Sequence, residues 1–228
     1  MAARACRNDL RATVPLVDTA AFLNELPRLF ADFPRSPEPI DRSHEQVQET
    51  VEGLSAENNL AMIGLAAQLL PEGERYAEAG TYHGRTVISA ALSGADAIAI
   101  DNFSLDEGGR EPLEANLRRF GVLDRVRILE GDTVAVLEAA DLAPLGAFYY
   151  DADHSTEGTF AGLQAVRRHL AGEALMIMDN AEWAKVQAGR DRFLAANPEA
   201  TLALTIAGRE SGQEWWWDGV DVIVWRAG

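Results

Sequence analysis

Residues 75–86 have the sequence RYAEAGTYHGRT, in which a short apolar strand pattern runs into a loop with two glycines and then into a helix. A glycine at position 80 lets the backbone turn sharply and approach a ligand closely, and Gly84 stands where the helix begins. The pattern E-x-G-x-x-x-G, which starts at Glu78, predicts a loop that cradles a nucleoside with an amino-acid tail. The fingerprint G-x-G-x-x-G is absent from this loop, which disfavours a pyrophosphate ligand and therefore a nicotinamide oxidoreductase.

The rest of the chain alternates strand and helix patterns. Apolar runs predict five strands at residues 75–79, 97–100, 126–129, 147–150 and 174–178. Helical patterns follow them near residues 84–93, 110–120, 132–140, 157–170 and 181–195. Two further strands, at 201–208 and 219–227, are joined by a hairpin-length connection, so the last strand is expected to be antiparallel to its neighbour. The sequence thus predicts an α/β fold with a seven-stranded, mostly parallel sheet and helices on both faces.

The segment ahead of this sheet has a different pattern. Residues 18–31 have the spacing of an amphipathic helix, and the proline-rich stretch 33–43 that follows is typical of a linker. We therefore interpret residues 1–43 as an N-terminal helical appendage with a linker, and residues 44–228 as the main domain. Ser55 is the expected N-cap of a helix that ends before Pro71.

Composition excludes several classes of function. The formal net charge of -16 disfavours nucleic acid as a partner, because binding to a phosphate backbone needs a basic surface. No apolar run is long enough to span a membrane, and the first residues lack the apolar core of a signal peptide, so we expect a cytoplasmic protein. Cys6 is the single cysteine, which leaves oxygen and imidazole as the ligands for any metal.

An acidic residue ends the second predicted strand. Asp101 follows the apolar run 97–100, where a carboxylate can accept hydrogen bonds from both hydroxyls of a ribose. A helix cap or a solvated turn is the alternative. Because the glycine loop follows the preceding strand, we favour the interpretation that Asp101 binds a ribose.

Polar side chains also follow the fourth and fifth strands. Asp151 comes after one of them, and Asp179 with Asn180 comes after the other. Because the carboxyl ends of parallel strands meet at one edge, these side chains are expected to converge there. Oxygen ligands of this kind suit Mg²⁺ or another divalent cation, which makes a coordinated hydroxyl more acidic. A plain loop turn is the alternative for Asp179 and Asn180.

Histidines and tryptophans carry further predictions. His154 lies three residues after Asp151, at the start of a helix, where it is a candidate general base; a surface histidine is the alternative. His44 and His169 have no such setting and are predicted to be surface residues. Three adjacent tryptophans at 215–217 cannot all face one side of a strand, so at least one is expected to be exposed or in an interface.

Taken in order, these motifs resemble those of class I S-adenosylmethionine-dependent methyltransferases over roughly residues 55–228. The likeness is to the metal-dependent catechol and caffeoyl-CoA O-methyltransferase group and to macrolide-sugar O-methyltransferases. Its most specific part is YYDADH at 149–154 followed by MDNAEW at 178–183. The resemblance implies a Rossmann-like methyltransferase sheet, S-adenosylmethionine as cofactor and an O-methyltransferase that acts on a small molecule.

The resemblance also implies roles for single residues. The cofactor residues would be Glu78, Gly80, Tyr82, Gly84, Thr86, Asp101, Asp132, Thr133 and Asp151. Among them, Gly80 and Tyr82 would line the methionine end, Thr86 would bind its carboxylate, and Asp132 with Thr133 would lie at the adenine. The metal ligands would be Asp151, Asp179 and Asn180, with His154 and Asp151 catalytic and Trp183 lining the acceptor pocket.

One position departs from part of the resemblance. Catechol and caffeoyl-CoA enzymes have lysine where His154 stands, whereas sugar-modifying relatives tend to have histidine. The acceptor therefore stays open between a phenol and a sugar or other natural-product hydroxyl. A metal-independent N- or carboxyl-methyltransferase and a non-catalytic S-adenosylmethionine-binding protein remain alternatives, and the oligomeric state stays open, a homodimer included.

Overall fold

The structure, a computed structural model, describes residues 16–105, 107–210, 213–214, 216 and 218–228. The strands are β1 Arg75–Ala79, β2 Ala97–Asp101, β3 Val126–Glu130, β4 Leu145–Tyr150, β5 Leu170–Met178, β6 Ala200–Ile206, β7 Arg209–Glu210, β8 Gln213–Glu214 and β9 Val220–Arg226. The α-helices are α1 Thr19–Glu25, α2 Glu45–Thr50, α3 Glu57–Gln68, α4 Arg85–Leu92, α5 Glu111–Arg119, α6 Thr133–Ala139, α7 Thr156–Val166 and α8 Ala184–Ala196. Short 3₁₀ turns follow α1 and α7 and precede β3.

Seven of these strands form one sheet in the order β3-β2-β1-β4-β5-β9-β6. Neighbouring strands from β3 to β5 are parallel, and β9 is antiparallel to both β5 and β6. The predicted seven-stranded, mostly parallel sheet with an antiparallel last strand is confirmed. The short hairpin β7–β8, which lies inside the connection between β6 and β9, was not predicted.

Helices cover both faces of the sheet, as expected. On one face, apolar side chains of α3, α4 and α5 are buried against β1, β2 and β4, among them Leu60, Ile63, Val87, Ile88, Leu113 and Leu117. On the other face, α6, α7 and α8 bury Leu137, Leu163, Val166, Val186 and Phe193 against the same strands and β5. Each face therefore has its own hydrophobic core, which is what a sheet with apolar residues on both sides requires.

The N-terminal segment packs into the first of these cores. Phe22 and Leu26 are fully buried, and the ring of Phe30 meets the edge of Trp216 at a centroid distance of 5.4 Å. The Trp216 indole also donates a hydrogen bond of 2.7 Å to the carbonyl oxygen of Pro34. The described part of the predicted appendage thus shares its core with the sheet. Trp216 itself is buried, and the other two tryptophans of the triplet lie outside the described residues.

Three predictions about single residues were wrong. Helix α3 begins at Glu57 with Ala56 as its N-cap, so Ser55 does not cap it. His44 and His169 are 6% and 3% exposed rather than at the surface. A ring nitrogen of His169 lies 2.7 Å from the carbonyl oxygen of Leu137, because the end of α7 packs against α6. His44 contacts α3 at Gly64, where the lack of a side chain leaves room for the imidazole. His44 and His169 have polar neighbours in the sequence, so the sequence pattern does not indicate that they are buried.

Within the described part of the chain, no helix is long and apolar enough to cross a membrane.

Candidate active site

The candidate site lies where the strand order reverses, at the carboxyl ends of β1, β2, β4 and β5. The backbone N–H of Gly80 donates to Ile100, that of Asp151 to Ala79, and that of Asp179 to Tyr150, with lengths of 2.9, 2.9 and 3.1 Å. These bonds continue the sheet for one residue past each strand. The residues that follow therefore start from a rigid common edge, which is the usual ligand site of such sheets.

The glycine loop after β1 has the backbone conformation that its sequence predicts. Gly80 and Gly84 have φ angles of +88° and +94°, which suit glycine, and Gly84 is the left-handed N-cap of α4. Tyr82 also has a positive φ, of 50°. Its N–H donates to Asp101 Oδ2 at 2.7 Å, so the carboxylate at the end of β2 holds the loop in place.

Asp101 also receives the N–H of Phe103 on its other oxygen, at 2.7 Å. A carboxylate oxygen can accept more than one hydrogen bond, so both oxygens retain capacity for the hydroxyls of a ribose. The backbone N–H of Gly131 donates to the carbonyl oxygen of Asp101 at 2.9 Å, which places the predicted adenine segment next to it. In that segment the Asp132 side chain caps α6 by accepting the N–H of Ala135 at 2.9 Å.

Glu78 is enclosed by the protein rather than open to solvent. Its side chain is 0% exposed and accepts a hydrogen bond of 2.6 Å from the Tyr76 hydroxyl. Burial raises the pKa of Glu78 to about 8, although hydrogen bonds from Tyr76 and Thr86 lower it in part. Burial therefore favours the protonated form of this predicted cofactor residue, which is buried together with Thr86 at the start of α4.

Three predicted residues of the acceptor side come together. His154 Nε2 lies 3.2 Å from Asp151 Oδ1, and the side chains are 26% and 28% exposed. The ring of Trp183 meets that of His154 edge-on at a centroid distance of 5.1 Å, and Trp183 is 45% exposed. Burial raises the pKa of Asp151, whereas His154 beside it lowers that pKa. An imidazole, a carboxylate and an accessible aromatic ring thus form one group.

Asp179 and Asn180 are buried beside this group. Burial raises the pKa of Asp179 well above its usual range, and the charge of Asp151 raises it further. Asn180 has a positive φ of 53°. The next two residues are held by the turn before β9, since Ala181 N–H donates to Gly219 at 3.1 Å and Glu182 N–H donates to Asp218 at 2.9 Å. No motif in the sequence indicates this support from residues 218–219.

The donor set fits a divalent cation that prefers oxygen. The charge of Asp151 acts on the carboxyl of Asp179, and Asp179 Oδ1 is buried without a hydrogen-bond partner. A cation would neutralise the repulsion and supply that oxygen with a partner. No cluster of three or more His, Cys, Asp or Glu side chains suited to a metal occurs in the described ranges, so the third protein ligand would have to be the amide of Asn180.

Two recesses elsewhere in the protein do not include these residues. A cavity of about 290 Å³ lies between α3 and residues 28–44. An open groove of about 700 Å³ runs along α6 and α7. The candidate site is therefore identified by the chemistry that converges at the strand ends and not by the depth of a cavity.

Comparison with known proteins identifies a family match within the same part of the chain. Residues 77–181 match the model of a family described as a methyltransferase domain, and the match covers the glycine loop, Asp101, Asp151 and Asp179. The predicted resemblance to methyltransferases is confirmed over these residues. No curated protein sequence matches the chain.

Solved structures share the fold. Cofactor-bound Rv0187 from MTB is 21% identical with a TM-score of 0.63, over 94% of this chain and 99% of that one. The O-methyltransferase from Bacillus cereus in complex with SAH is 19% identical with a TM-score of 0.61, over 91% and 97%. The O-methyltransferase TomG from Streptomyces achromogenes, involved in tomaymycin synthesis and bound to SAM, is 19% identical with a TM-score of 0.60, over 93% and 97%.

Proposed function

Because residues 77–181 carry a methyltransferase domain, we propose that the protein methylates a hydroxyl of a small molecule with S-adenosylmethionine and the help of Mg²⁺ or a similar cation. The observation that carries this proposal is the pair of His154 and Asp151, 3.2 Å apart at the same sheet edge as the glycine loop. A general base beside a nucleoside site is what methyl transfer to oxygen requires.

The cofactor side is formed by the loops after β1, β2 and β3. Asp101 would accept the ribose hydroxyls, Gly80 and Tyr82 would line the methionine end, and Thr86 would bind the methionine carboxylate. Asp132 and Thr133 would lie at the adenine. S-adenosylmethionine supplies an electrophilic methyl group when bound there. The loop residues would orient the bound cofactor toward the edge where His154 lies.

His154 would take the proton of the acceptor hydroxyl. Asp151 lies 3.2 Å from its Nε2 and would stabilise the imidazolium that forms, which favours proton transfer at neutral pH. The indole of Trp183, which is 45% exposed, offers an apolar face to the acceptor. Positioning by this ring and by the loop of Asp179 would hold the hydroxyl in line with the methyl group.

Asp151, Asp179 and Asn180 would hold the cation. A divalent cation at these oxygens would lower the pKa of the acceptor hydroxyl. The buried, unpartnered Oδ1 of Asp179 supports this role. Histidine at position 154, where the phenol-methylating relatives carry lysine, supports a sugar or other natural-product acceptor. The similarity to TomG, whose name connects it with tomaymycin synthesis, is compatible with that choice.

A metal-independent methyltransferase is the second candidate. The His154–Asp151 pair can accept a proton without a cation. Burial also favours the neutral form of Asp179, which would reduce the need for a positive charge beside it. The two candidates differ in the effect of metal removal on turnover.

The first experiment is calorimetric titration of the full chain with S-adenosylhomocysteine, with Mg²⁺ and then with EDTA, and with NADH as a control. Binding of S-adenosylhomocysteine but not of NADH supports the proposal, and absence of binding overturns it. Phenols and glycosylated natural products are then screened for methyl transfer. A ligand that binds without transfer to any acceptor would favour a non-catalytic binding protein.

Two variants separate the steps. His154→Gln should bind S-adenosylhomocysteine as the wild type does and lose methyl transfer by about 10²-fold or more. Asp179→Ala should also retain binding and lose Mg²⁺-dependent turnover. Full turnover of Asp179→Ala in EDTA would remove the cation from the proposal and leave the metal-independent enzyme.

A further inference from the structure

Arg85 is the first residue of α4 and directly follows the glycine loop. Its guanidinium donates to three backbone carbonyls of an earlier segment: Nε to Val51 at 2.6 Å, Nη1 to Ser55 at 2.7 Å and Nη2 to Gln48 at 2.8 Å. We call residues 48–55 the strap. One side chain thus fixes the strap at three points to the helix that carries Thr86.

The strap also contacts the loop itself. The Tyr82 hydroxyl donates to Glu52 Oε1 at 3.2 Å, and His83 Nδ1 lies 3.8 Å from Glu52 Oε2. The rings of Tyr82 and His83 are stacked with centroids 3.8 Å apart. A Cβ on Gly53 would stand 2.9 Å from Cδ of Arg85, so the strap backbone passes tightly over the arginine stem.

The far end of the strap approaches the acceptor side. Ser55 lies near the buried hydroxyl of Tyr149, and burial together with the charge of Asp179 raises the pKa of that tyrosine. Tyr149 and Asp179 lie on the same face of the sheet as Glu78, because β1, β4 and β5 pair in register. The strap therefore runs from the glycine loop toward the loop of Asp179.

The arrangement carries an energetic cost. Burial lowers the pKa of Arg85, which means that the charged guanidinium is partly removed from water. Such a group is tolerated when its donors are bonded, and here each of its three nitrogens has a carbonyl partner. A lysine could not reproduce this planar fork. The position of the strap therefore depends on the planar shape of the Arg85 guanidinium as well as on its positive charge.

We propose that Arg85 is a positioning residue for the cofactor: by fixing the strap it makes residues 48–55 a wall of the S-adenosylmethionine site. The inference rests on the proposed function, since it concerns the same site. The strap wall closes over Tyr82 and so retains the methionine end of the cofactor. Loss of the three hydrogen bonds from Arg85 should weaken cofactor binding and leave His154 and Asp151 in place.

The test is calorimetric titration of the full chain and its variants with S-adenosylhomocysteine. Arg85→Gln should raise the Kd by about ten-fold, with kcat at saturating cofactor changed by less than about three-fold. Arg85→Lys should not recover the affinity, because the fork is lost while the charge is kept. Hydrogen exchange of residues 48–55 should slow on ligand binding in the wild type and not in Arg85→Gln.

Arg125→Gln is the matched control. Arg125 is exposed and donates to the carbonyl of Gly94 at 2.9 Å, before β2, at the opposite edge of the sheet. This variant should bind as the wild type does. If Arg85→Gln does not fold, Glu52→Ala decides, because the Glu52 side chain is 75% exposed and the loss of its hydrogen bond from Tyr82 should still weaken binding about three-fold.

The outcomes separate this inference from the proposed function. A wild type that binds no S-adenosylhomocysteine overturns both. A wild type that binds, with Arg85→Gln and Glu52→Ala binding equally well, overturns the strap alone. Full recovery by Arg85→Lys would also overturn it, since charge rather than geometry would then explain the affinity.

Discussion

A Cβ atom on residue 80 would lie 1.7 Å from the carbonyl oxygen of Asp151. The end of β1 and the end of β4 therefore touch, backbone to backbone, at the point where the cofactor loop and the catalytic loop begin. The loop that begins at Gly80 and the loop that begins at Asp151 are therefore packed against each other. The absence of a side chain at Gly80 is what brings the proposed methyl donor and the proposed base to one edge of the sheet.

Gly80→Ala should therefore destabilise the fold strongly. The substitution combines a strained φ with a backbone overlap, and we expect a loss of more than about 3 kcal/mol in the free energy of unfolding, measured with urea. Gly73→Ala is the control, because Gly73 has a similar φ of +91° but open space around it. Its cost should be near 1 kcal/mol, the strain alone. Equal losses in the two variants would contradict the overlap.

Glu78→Gln should change how stability depends on pH. The pKa of Glu78 is raised from 4.5 to about 8, so the folded protein keeps a proton that the unfolded chain releases. The free energy of unfolding then falls as pH rises through this window, and the whole effect is about 5 kcal/mol. Gln lacks the proton exchange and still accepts from Tyr76. The variant should lose that part of the slope and be more stable than the wild type above pH 8.

The measurement is urea unfolding of both proteins across that pH range. The difference between the two curves isolates Glu78, because Asp151, Asp179 and the other carboxyls with raised pKa values remain in both. Glu130→Gln, at an exposed side chain, should run parallel to the wild type. Parallel curves for Glu78→Gln would show that the buried carboxyl is ionised at neutral pH.

Asp101→Ala should weaken cofactor binding for two reasons. It removes the ribose acceptor, and it leaves the N–H groups of Tyr82 and Phe103 without their carboxylate. We expect the Kd for S-adenosylhomocysteine to rise by about 10²-fold, as for a lost charged hydrogen-bonding group. Asp96→Ala, exposed at the other end of β2, is the control. Unchanged affinity of Asp101→Ala would place the ribose elsewhere.

Trp183→Ala should act on the acceptor. Its indole is 45% exposed and touches His154, so truncation removes an apolar face without opening the core. Once an acceptor is known, its KM should rise by about ten-fold, with S-adenosylhomocysteine affinity unchanged. Trp183→Phe should recover most of the loss. A loss confined to cofactor affinity would contradict the assignment of this residue to the acceptor pocket.

The sheet could be predicted because short apolar runs with turn residues after them specify strands, and parallel strands bring their carboxyl ends together. The strands lie where the runs are, within a few residues. The approach of Asp179 to Asp151 followed from the same rule, and His154 lies near Asp151 because it is three residues later in the chain. The N-capping of α6 by Asp132 and the positive φ of Gly80 were likewise local properties of the sequence.

Other parts depend on contacts that a single sequence does not display. Arg85 looks like an ordinary first residue of a helix, and its role appears only when the strap lies beside it. His44 and His169 follow polar neighbours and are buried by packing between helices. The support of Ala181 by Gly219 joins residues that are far apart in the chain. Short-range patterns carry no information about these partners.

The position of β9 has a consequence for synthesis of the chain. This strand lies between β5 and β6 and is made last among the sheet strands, so β6 has no partner in the sheet until β9 has left the ribosome. The turn before β9 also supplies the carbonyls that hold residues 181 and 182. A nascent chain can pair β1 to β5 first, while residues 181 and 182 gain these backbone partners only once the turn before β9 has been made.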